Sequence, residues 1–281
     1  MLKPLSQRRI NIARGLTAHK PSTRMKLIQD WIDEGFDVSS IDSIPTSSLQ
    51  VITPNNQLKN CGITFVTSLS PRRIRRHINC VSTWQKFGIE VRCLQTTDEI
   101  EQFQPLFPKV NFIETNDVIR SRVRIRRLIQ EATTSPIMIV NADLELYGDQ
   151  QTFKDDWQQP GLGLGYRWNY DKIDYCVQEE WGIDVLKVDP EMVDVVSGEF
   201  ECALGSPGWD WLLPALMESK GFELFRVNTP QFFHHNHKPT WTKKDSAETQ
   251  RRLADRYGIT VNQMRDVASK GRTSGVANVT F

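Results

Sequence analysis

Asp143 and Glu145 are two carboxylates placed two positions apart, where the apolar run IMIV of the segment IMIVNADLEL ends. In an extended segment residues i and i+2 point the same way, so the pair can share one hard cation that also carries a diphosphate. Pro136 before the run and Gly148-Asp149 after it fit a short strand buried on both faces. A carboxylate at the carboxyl end of such a strand sits where open α/β sheets bind ligands. The plain alternative is a solvated strand end leading into a turn. Asp210 stands between Trp209 and Trp211, a setting that can raise a carboxyl pKa. The structural alternative makes Trp209, Trp211, Leu212 and Leu213 core, with Asp210 capping a helix that tolerates Pro214 in its first turn. A run of three histidines, His234, His235 and His237, follows later in the chain.

Arginines crowd two further segments: Arg72, Arg73, Arg75 and Arg76, then Arg120, Arg122, Arg124, Arg126 and Arg127. Arg120, Arg124 and Arg127 fall at helical spacing i, i+4, i+7 and can reach a diphosphate from one face. Most of these charges must be a solvated face. Gly161, Gly163 and Gly165 alternate, which suits a strand under close backbone approach and not a phosphate loop opening a helix.

The elements that must carry these residues begin at Gly62. ITFVTSL reads as a strand, followed by a helix with Ser70 as cap, Pro71 at its first position and Ile74, Ile78, Val81 and Trp84 as its apolar stripe. IEVRCLQ and VNFIE are further strands, and the pattern predicts a helix from about Asp117 to Ala132. Strands alternating with helices imply a parallel, right-handed α/β sheet. GLGLGYRWNYD, GIDVLKVD and FELFRVN read as strands of a mixed second half. Before Gly62 the chain is polar, with one helix expected over Ser22 to Glu34 and turn chemistry at ITPNNQ.

The chain has 281 residues, long enough for a proper core. Its 35 Lys+Arg against 34 Asp+Glu argue against an overall polyanionic partner. Cys61, Cys80, Cys93, Cys176 and Cys202 are odd in number and scattered, which speaks against disulfides or a zinc site and for a reducing cytoplasm. No window reaches the roughly 20 apolar residues of a membrane span.

The central part resembles the GT-A glycosyltransferases, and more closely a glycosyltransferase-like group of bacteria and phages. TFVTSLSPRRIRRHINCVSTW, IMIVNADL, GIDVLKV, GSPGWDWLLPALMESKGFEL and FHHNHKPTW carry the resemblance, in that order over about residues 62 to 242. It implies an α/β/α sandwich around a mixed central sheet, with small helical terminal segments. The expected division is an extension over 1–60, a catalytic domain over 61–242 and a tail over 243–281. The resemblance matches Asp143-Leu144-Glu145 to the motif that binds ribose and a divalent metal, Mn2+ or Mg2+, under the diphosphate of a nucleotide-sugar such as a UDP-sugar. Glu145 departs from the commonest second Asp. The resemblance also implies donor contacts from Asp143, Ser68, Arg120 and Arg124, and a late histidine in the metal shell, for which His235 is chosen from the three. It makes Asp210 the base of an inverting transfer, with Glu199 and Glu201 as substitutes.

Residues 246 to 270 carry a separate signal. One helix ends at Gly258, and Thr260 with Gln263 forms a capping box for a second, a pattern similar to a helix-turn-helix. Asn262, Gln263 and Arg265 would face a DNA groove, and Lys243, Lys244, Arg251, Arg252, Lys270 and Arg272 its phosphates. The alternative is a hairpin that merely packs on the domain. A DNA-reading tail implies a hydroxymethylated base of phage-type DNA as acceptor, in a host cytoplasm; a polysaccharide or protein acceptor is equally open. Two other classes compete: a DNA-binding protein on a silent transferase scaffold, and a nucleotidyltransferase. The latter needs a Gly-rich phosphate loop with a Lys after the first strand, which SLSPRR lacks.

Overall fold

The computed structural model describes residues 61–170, 176–196, 200–237 and 242–269, with two-residue strands at 3–4, 36–37 and 276–277. The expected helix over Ser22 to Glu34, the ITPNNQ linker, Glu199, Lys270 and Arg272 lie outside the described residues.

Strand β1 (Thr64–Thr67) leads through a 3-10 turn at Pro71–Arg73 into helix α1 (Ile74–Lys86), then β2 (Glu90–Gln95), α2 (Thr97–Phe103) and β3 (Asn111–Glu114). Pro71 starts the turn as expected, but the Ser70 side chain makes no cap. Its backbone N–H instead donates to His77 Nδ1 at 3.3 Å. α1 buries His77, Cys80, Val81 and Trp84 and packs Ile74 against the same core, so three of the four expected stripe residues face inward and Ile78 is exposed. Gly88, at φ 72, ends α1 in the left-handed conformation that L-residues avoid, and the chain re-enters the sheet at β2.

No helix spans 117 to 132. The segment forms a hairpin of β4 (Val118–Ile119) and β5 (Arg122–Val123), then a short helix α3 (Ile125–Ile129). Asp117 grips Arg124 and Arg126 with hydrogen bonds of 3.0 and 2.8 Å, and this closes the hairpin's base. Arg120 therefore sits in a turn and Arg127 on a helix, so the i, i+4, i+7 face does not exist.

β6 (Ile137–Val140) is buried along its whole length. After it come β7 (Glu145–Leu146), α4 (Gln150–Trp157), β8 (Leu162–Tyr170), β9 (Cys176–Val188), α5 (Trp209–Ser219) and β10 (Leu224–His235). The sheet order is β3-β2-β1-β6-β9-β8-β10-β7. β3, β2, β1 and β6 are parallel, β9 runs antiparallel to β6 and β8, β8 and β10 are parallel, and β7 returns antiparallel. This is the mixed sheet the sequence implies. Helices cover both faces: Phe65, Met138 and Val140 pack with Trp84, Phe103 and Phe153 on one side, and Val66, Ile137 and Ile139 pack with Leu128, Leu212 and Leu213 on the other. The period-2 division within β6 is why its sequence is apolar at every position.

Gly163 and Gly165 lie within β8 because the Trp157 ring crosses the strand there. A Cβ on either would stand 2.9 Å from that ring. Helices α6 (Lys243–Tyr257) and α7 (Val261–Ser269) follow, with Gly258 left-handed between them and the Thr260–Gln263 capping box formed. Leu253, Ala254, Ile259, Met264, Val267 and Ala268 join the same apolar cluster as Trp209 and Leu212. Each large side chain among them contributes about 1.5–3 kcal/mol of burial, so the hairpin is a layer of the domain's core.

Candidate active site

β1 leads away through β2 to β3, whereas β6 lies on the other side of β1; ligand crevices open at such switch points, outside the carboxyl ends of the strands. The carboxyl ends here carry Ser68 and the turn Asn141–Leu144. Thr67 Oγ1 donates to Val140 O at 2.7 Å and ties the two ends together.

From Asn141 a row of polar side chains crosses four strands. The Asn141 N–H donates to Asp184 O across β6 and β9 at 3.1 Å, and its side-chain amide donates to the Asp184 carboxylate. Asp184 is buried and also accepts from Arg167 Nη1 of β8 at 2.6 Å. Two residues on, Asn169 faces the same side as Arg167 and pairs in register with His234 of β10. Its Oδ1 lies 2.9 Å from His234 Nδ1.

With Asn169 Oδ1 accepting, His234 carries its proton on Nδ1 and directs the Nε2 lone pair the other way. Nε2 of His234 lies 3.1 Å from Nε2 of His237 and 3.4 Å from Asp143 Oδ2, and His237 Nε2 is 3.2 Å from the same oxygen. One ligand atom from each of the three residues falls within 4.8 Å of the others. Arg73 completes the group, 3.5 Å from Asp143 Oδ2 and in contact with His237 Nε2, and Arg76 donates to the Asp143 carbonyl at 3.2 Å. Burial works against ionisation of Asp143, but the His234 and His237 rings and the Arg76 charge hold it well below the usual carboxylate range. Burial lowers the pKa of His234 although the adjacent Asp143 works to raise it. Two converging nitrogens with one ionised carboxylate, and a second residue fixing a tautomer, fit a divalent cation.

The expected partners of Asp143 stand elsewhere. Leu144 N–H donates to Asn141 O at 3.3 Å, so Asp143 lies in a turn and not in an extended strand, and the i, i+2 relation to Glu145 is broken. Glu145 accepts from the hydroxyls of Tyr170 at 2.6 Å and Tyr147 at 3.3 Å. His235 stands edge-on to the Tyr170 ring, with centroids 5.3 Å apart. Alternation along β8 and β10 puts Tyr170 and His235 on the face opposite Asn169 and His234. The cluster thus takes His234 and His237 from the histidine run.

Asp210 opens α5 behind Gly208, whose φ is 86. Pro214 lies in the second turn, not the first, and its missing N–H leaves the Asp210 carbonyl without its helical partner. Burial, then the negative charge of Asp184, pushes the Asp210 carboxyl well above its usual range, and Arg167 only partly opposes this. The row Asn141–Asp184–Arg167 therefore links the surroundings of Asp143 electrostatically to Asp210. Glu201 is engaged by Arg256 at 3.0 Å and Arg252 at 3.4 Å, and its N–H donates to the Tyr257 hydroxyl at 2.8 Å.

Ser68 Oγ donates to Gln95 Oε1 at 2.6 Å, at the switch point. Arg120 is exposed, whereas Arg124 is held by Asp117. Lys243, Lys244, Asn262, Gln263 and Arg265 are all exposed, but Gln263 Oε1 already accepts from the Thr260 N–H at 2.7 Å. The strand patterns of GIDVLKV and GLGLGYRWNYD do not single out Asp184, Arg167 and Asn169; a polar residue inside an apolar strand is the local signal for Asp184.

The sequence matches no protein-family model and no curated protein. Among solved structures, a mannosyltransferase from Pyrobaculum calidifontis in complex with GDP-Man and Mn2+ overlaps 92% of this chain and 79% of its own, at 11% identity and a TM-score of 0.45. A 4-diphosphocytidyl-2C-methyl-D-erythritol synthase from Anaerococcus prevotii overlaps 68% of this chain and 95% of its own, at 10% identity and a TM-score of 0.40. HddC from Yersinia pseudotuberculosis, complexed with GMP-PN, overlaps 68% and 99%, at 10% identity and a TM-score of 0.34. The chemistry of the site stands on this chain's own side chains.

Proposed function

We propose that the protein is a nucleotide-sugar-dependent glycosyltransferase of GT-A type. The observation that carries this reading is the convergence of Asp143, His234 and His237 at the switch point of a mixed sheet, with a second carboxyl, Asp210, whose pKa burial and the charge of Asp184 raise. Asp143, His234 and His237 would hold a divalent cation, which supplies charge neutralisation to the departing diphosphate. Two imidazole nitrogens suit Mn2+ better than Mg2+, which prefers oxygen donors. Ser68, directly after β1, would contribute a contact to the donor.

Asp210 takes the proton of the attacking acceptor hydroxyl. The hydroxyl oxygen bonds to the anomeric carbon as the bond to the nucleoside diphosphate breaks, and a single base opposite the leaving group corresponds to inversion. The raised pKa of Asp210 makes it a stronger base than an ordinary carboxylate. The free, buried thiols of Cys61, Cys80, Cys93 and Cys202 suit action in the cytoplasm. Among the described residues no helix is long and apolar enough to cross a membrane.

Two acceptor classes fit. A hydroxymethylated DNA base would draw on the exposed Lys243, Lys244, Asn262 and Arg265; a polysaccharide or protein hydroxyl needs none of them. Incubation with hydroxymethylated DNA and a labelled donor, read by nucleoside mass analysis, separates the two.

The function itself is tested by melting the protein with UDP-, GDP- and TDP-sugars and Mn2+, because a donor that binds only the folded state raises Tm. One donor should raise Tm in the wild type and in Asp210→Ala, and fail to do so in Asp143→Ala. No response from any donor, or equal responses in the two variants, would overturn the assignment.

A further inference from the structure

Three acceptor atoms converge beside the turn Asn141–Leu144. His234 Nε2 presents a lone pair, because Nδ1 of that ring donates to Asn169 Oδ1. It stands 3.4 Å from Asp143 Oδ2 and 3.1 Å from His237 Nε2, and those two atoms are 3.2 Å apart. Acceptors this close repel one another unless positive charge lies among them. Two of the three receive it from one atom: Arg73 Nη1 touches His237 Nε2 and lies 3.5 Å from Asp143 Oδ2. A guanidinium keeps its protons and accepts nothing, so Arg73 is the donor and His237 Nε2 the acceptor. The lone pair of that nitrogen is thereby engaged.

Arg73 reaches this place from the junction of the 3-10 turn with α1, where its own N–H donates to Ser70 O at 3.2 Å. Its side chain is 27% exposed, so the guanidinium can swing toward solvent while the core stays closed. Arg76, on the next turn, instead donates to the Asp143 carbonyl at 3.2 Å.

We infer that Arg73 is a built-in competitor of the divalent cation, an autoinhibitory contact that closes the Asp143–His234–His237 seat until a cation displaces it. The inference rests on the cation seat of the proposed function and concerns its regulation. His237 Nε2 bonds either an N–H or a metal ion, and two positive charges on one carboxylate oxygen and one imidazole exclude each other. Cation affinity is therefore lowered by the fraction of molecules in which Arg73 has swung away; with about one in ten open, binding weakens about tenfold.

The test titrates Mn2+ alone into the full chain, with free Mn2+ read by electron paramagnetic resonance. Arg73→Met keeps the apolar stem and removes both donor and charge. It should bind Mn2+ about tenfold more tightly than the wild type, a change opposite in sign to that of a disturbed site, and Arg73→Ala should do the same. The gain should persist from about 0.1 M to about 1 M salt, where the Debye length falls from about 10 to about 3 Å and through-space repulsion is screened. Adding Asp143→Asn to Arg73→Met should abolish the tight binding. Equal or weaker binding by both Arg73 variants, a gain confined to low salt, or tight binding that survives Asp143→Asn would overturn the inference. The donor melting experiment separates it from the transferase reading: tightening in Arg73→Met with no donor raising Tm upholds the competitor and overturns the transferase, and a donor that raises Tm without any tightening does the reverse.

Discussion

Asp143 and Asp210 lie at two ends of one polar row, and their surroundings push them in opposite directions. Asp143 is hemmed by His234, His237, Arg73 and Arg76 and stays ionised; Asp210 sits in apolar packing near the negative Asp184 and holds its proton to higher pH. In the proposed transferase the same side chain would be a cation ligand at one end and a general base at the other, because partners and burial differ, not because the residue does. Pairs of carboxyls driven apart in this way are what acid–base assignments rest on.

The largest effect should come from breaking the Asp210 end alone. Asp210→Asn should lower kcat by about 10²–10⁴-fold while leaving donor affinity unchanged, as measured by steady-state kinetics against a donor titration. In the wild type, activity should rise with pH through a pKa above the ordinary carboxylate range. The stability sign follows from linkage. With a folded pKa raised above the unfolded value of about 3.9, this group's stabilisation is complete below that value and is lost as pH climbs through the raised one. Asp210→Asn, which never ionises, should therefore raise Tm at pH 8 more than at pH 4, and the reverse order would place Asp210 in a solvated setting.

The Asp143 end can be sharpened without touching a ligand atom. Asn169→Leu removes the acceptor that fixes the His234 tautomer, and losses at such supporting positions run about 10–100-fold in metal affinity. Mn2+ titration followed by electron paramagnetic resonance reads this; unchanged affinity would mean that the Asn169–His234 bond only packs the strands.

The smallest effect probes the link between the tail and the Asp210 end. Tyr257→Phe strips the partner from the Glu201 N–H and should cost about 1 kcal/mol in denaturant unfolding, with donor binding unaltered. A larger loss would make the hairpin's docking depend on this one bond.

Legibility in the sequence followed the range of the interactions. β1, β2 and β6 are readable because their burial is set by local apolar runs, and α6 and α7 because Gly258 and the Thr260–Gln263 box are local signals. The Asp117–Ala132 segment misled because arginines at helical spacing look the same when Asp117 folds them into a hairpin. The α1 stripe holds at Ile74, Val81 and Trp84 and fails at Ile78, beside which the polar His77 takes a buried place and accepts from the Ser70 N–H.

The site divides along the same line. Residue type and spacing single out Asp143, since a carboxylate at the end of an apolar strand is where such chemistry is placed, whereas Asp210 and the histidine run come from the resemblance. Which histidines join Asp143 depends on the register of β8 against β10, and whether Glu145 joins it depends on a turn closed by the Leu144–Asn141 bond. A shift of one residue in a strand moves a side chain to the other face, and such pairings are long-range hydrogen-bond patterns that no local spacing encodes. The chain determined the inventory of carboxylates and imidazoles; the folded sheet decided which of them meet.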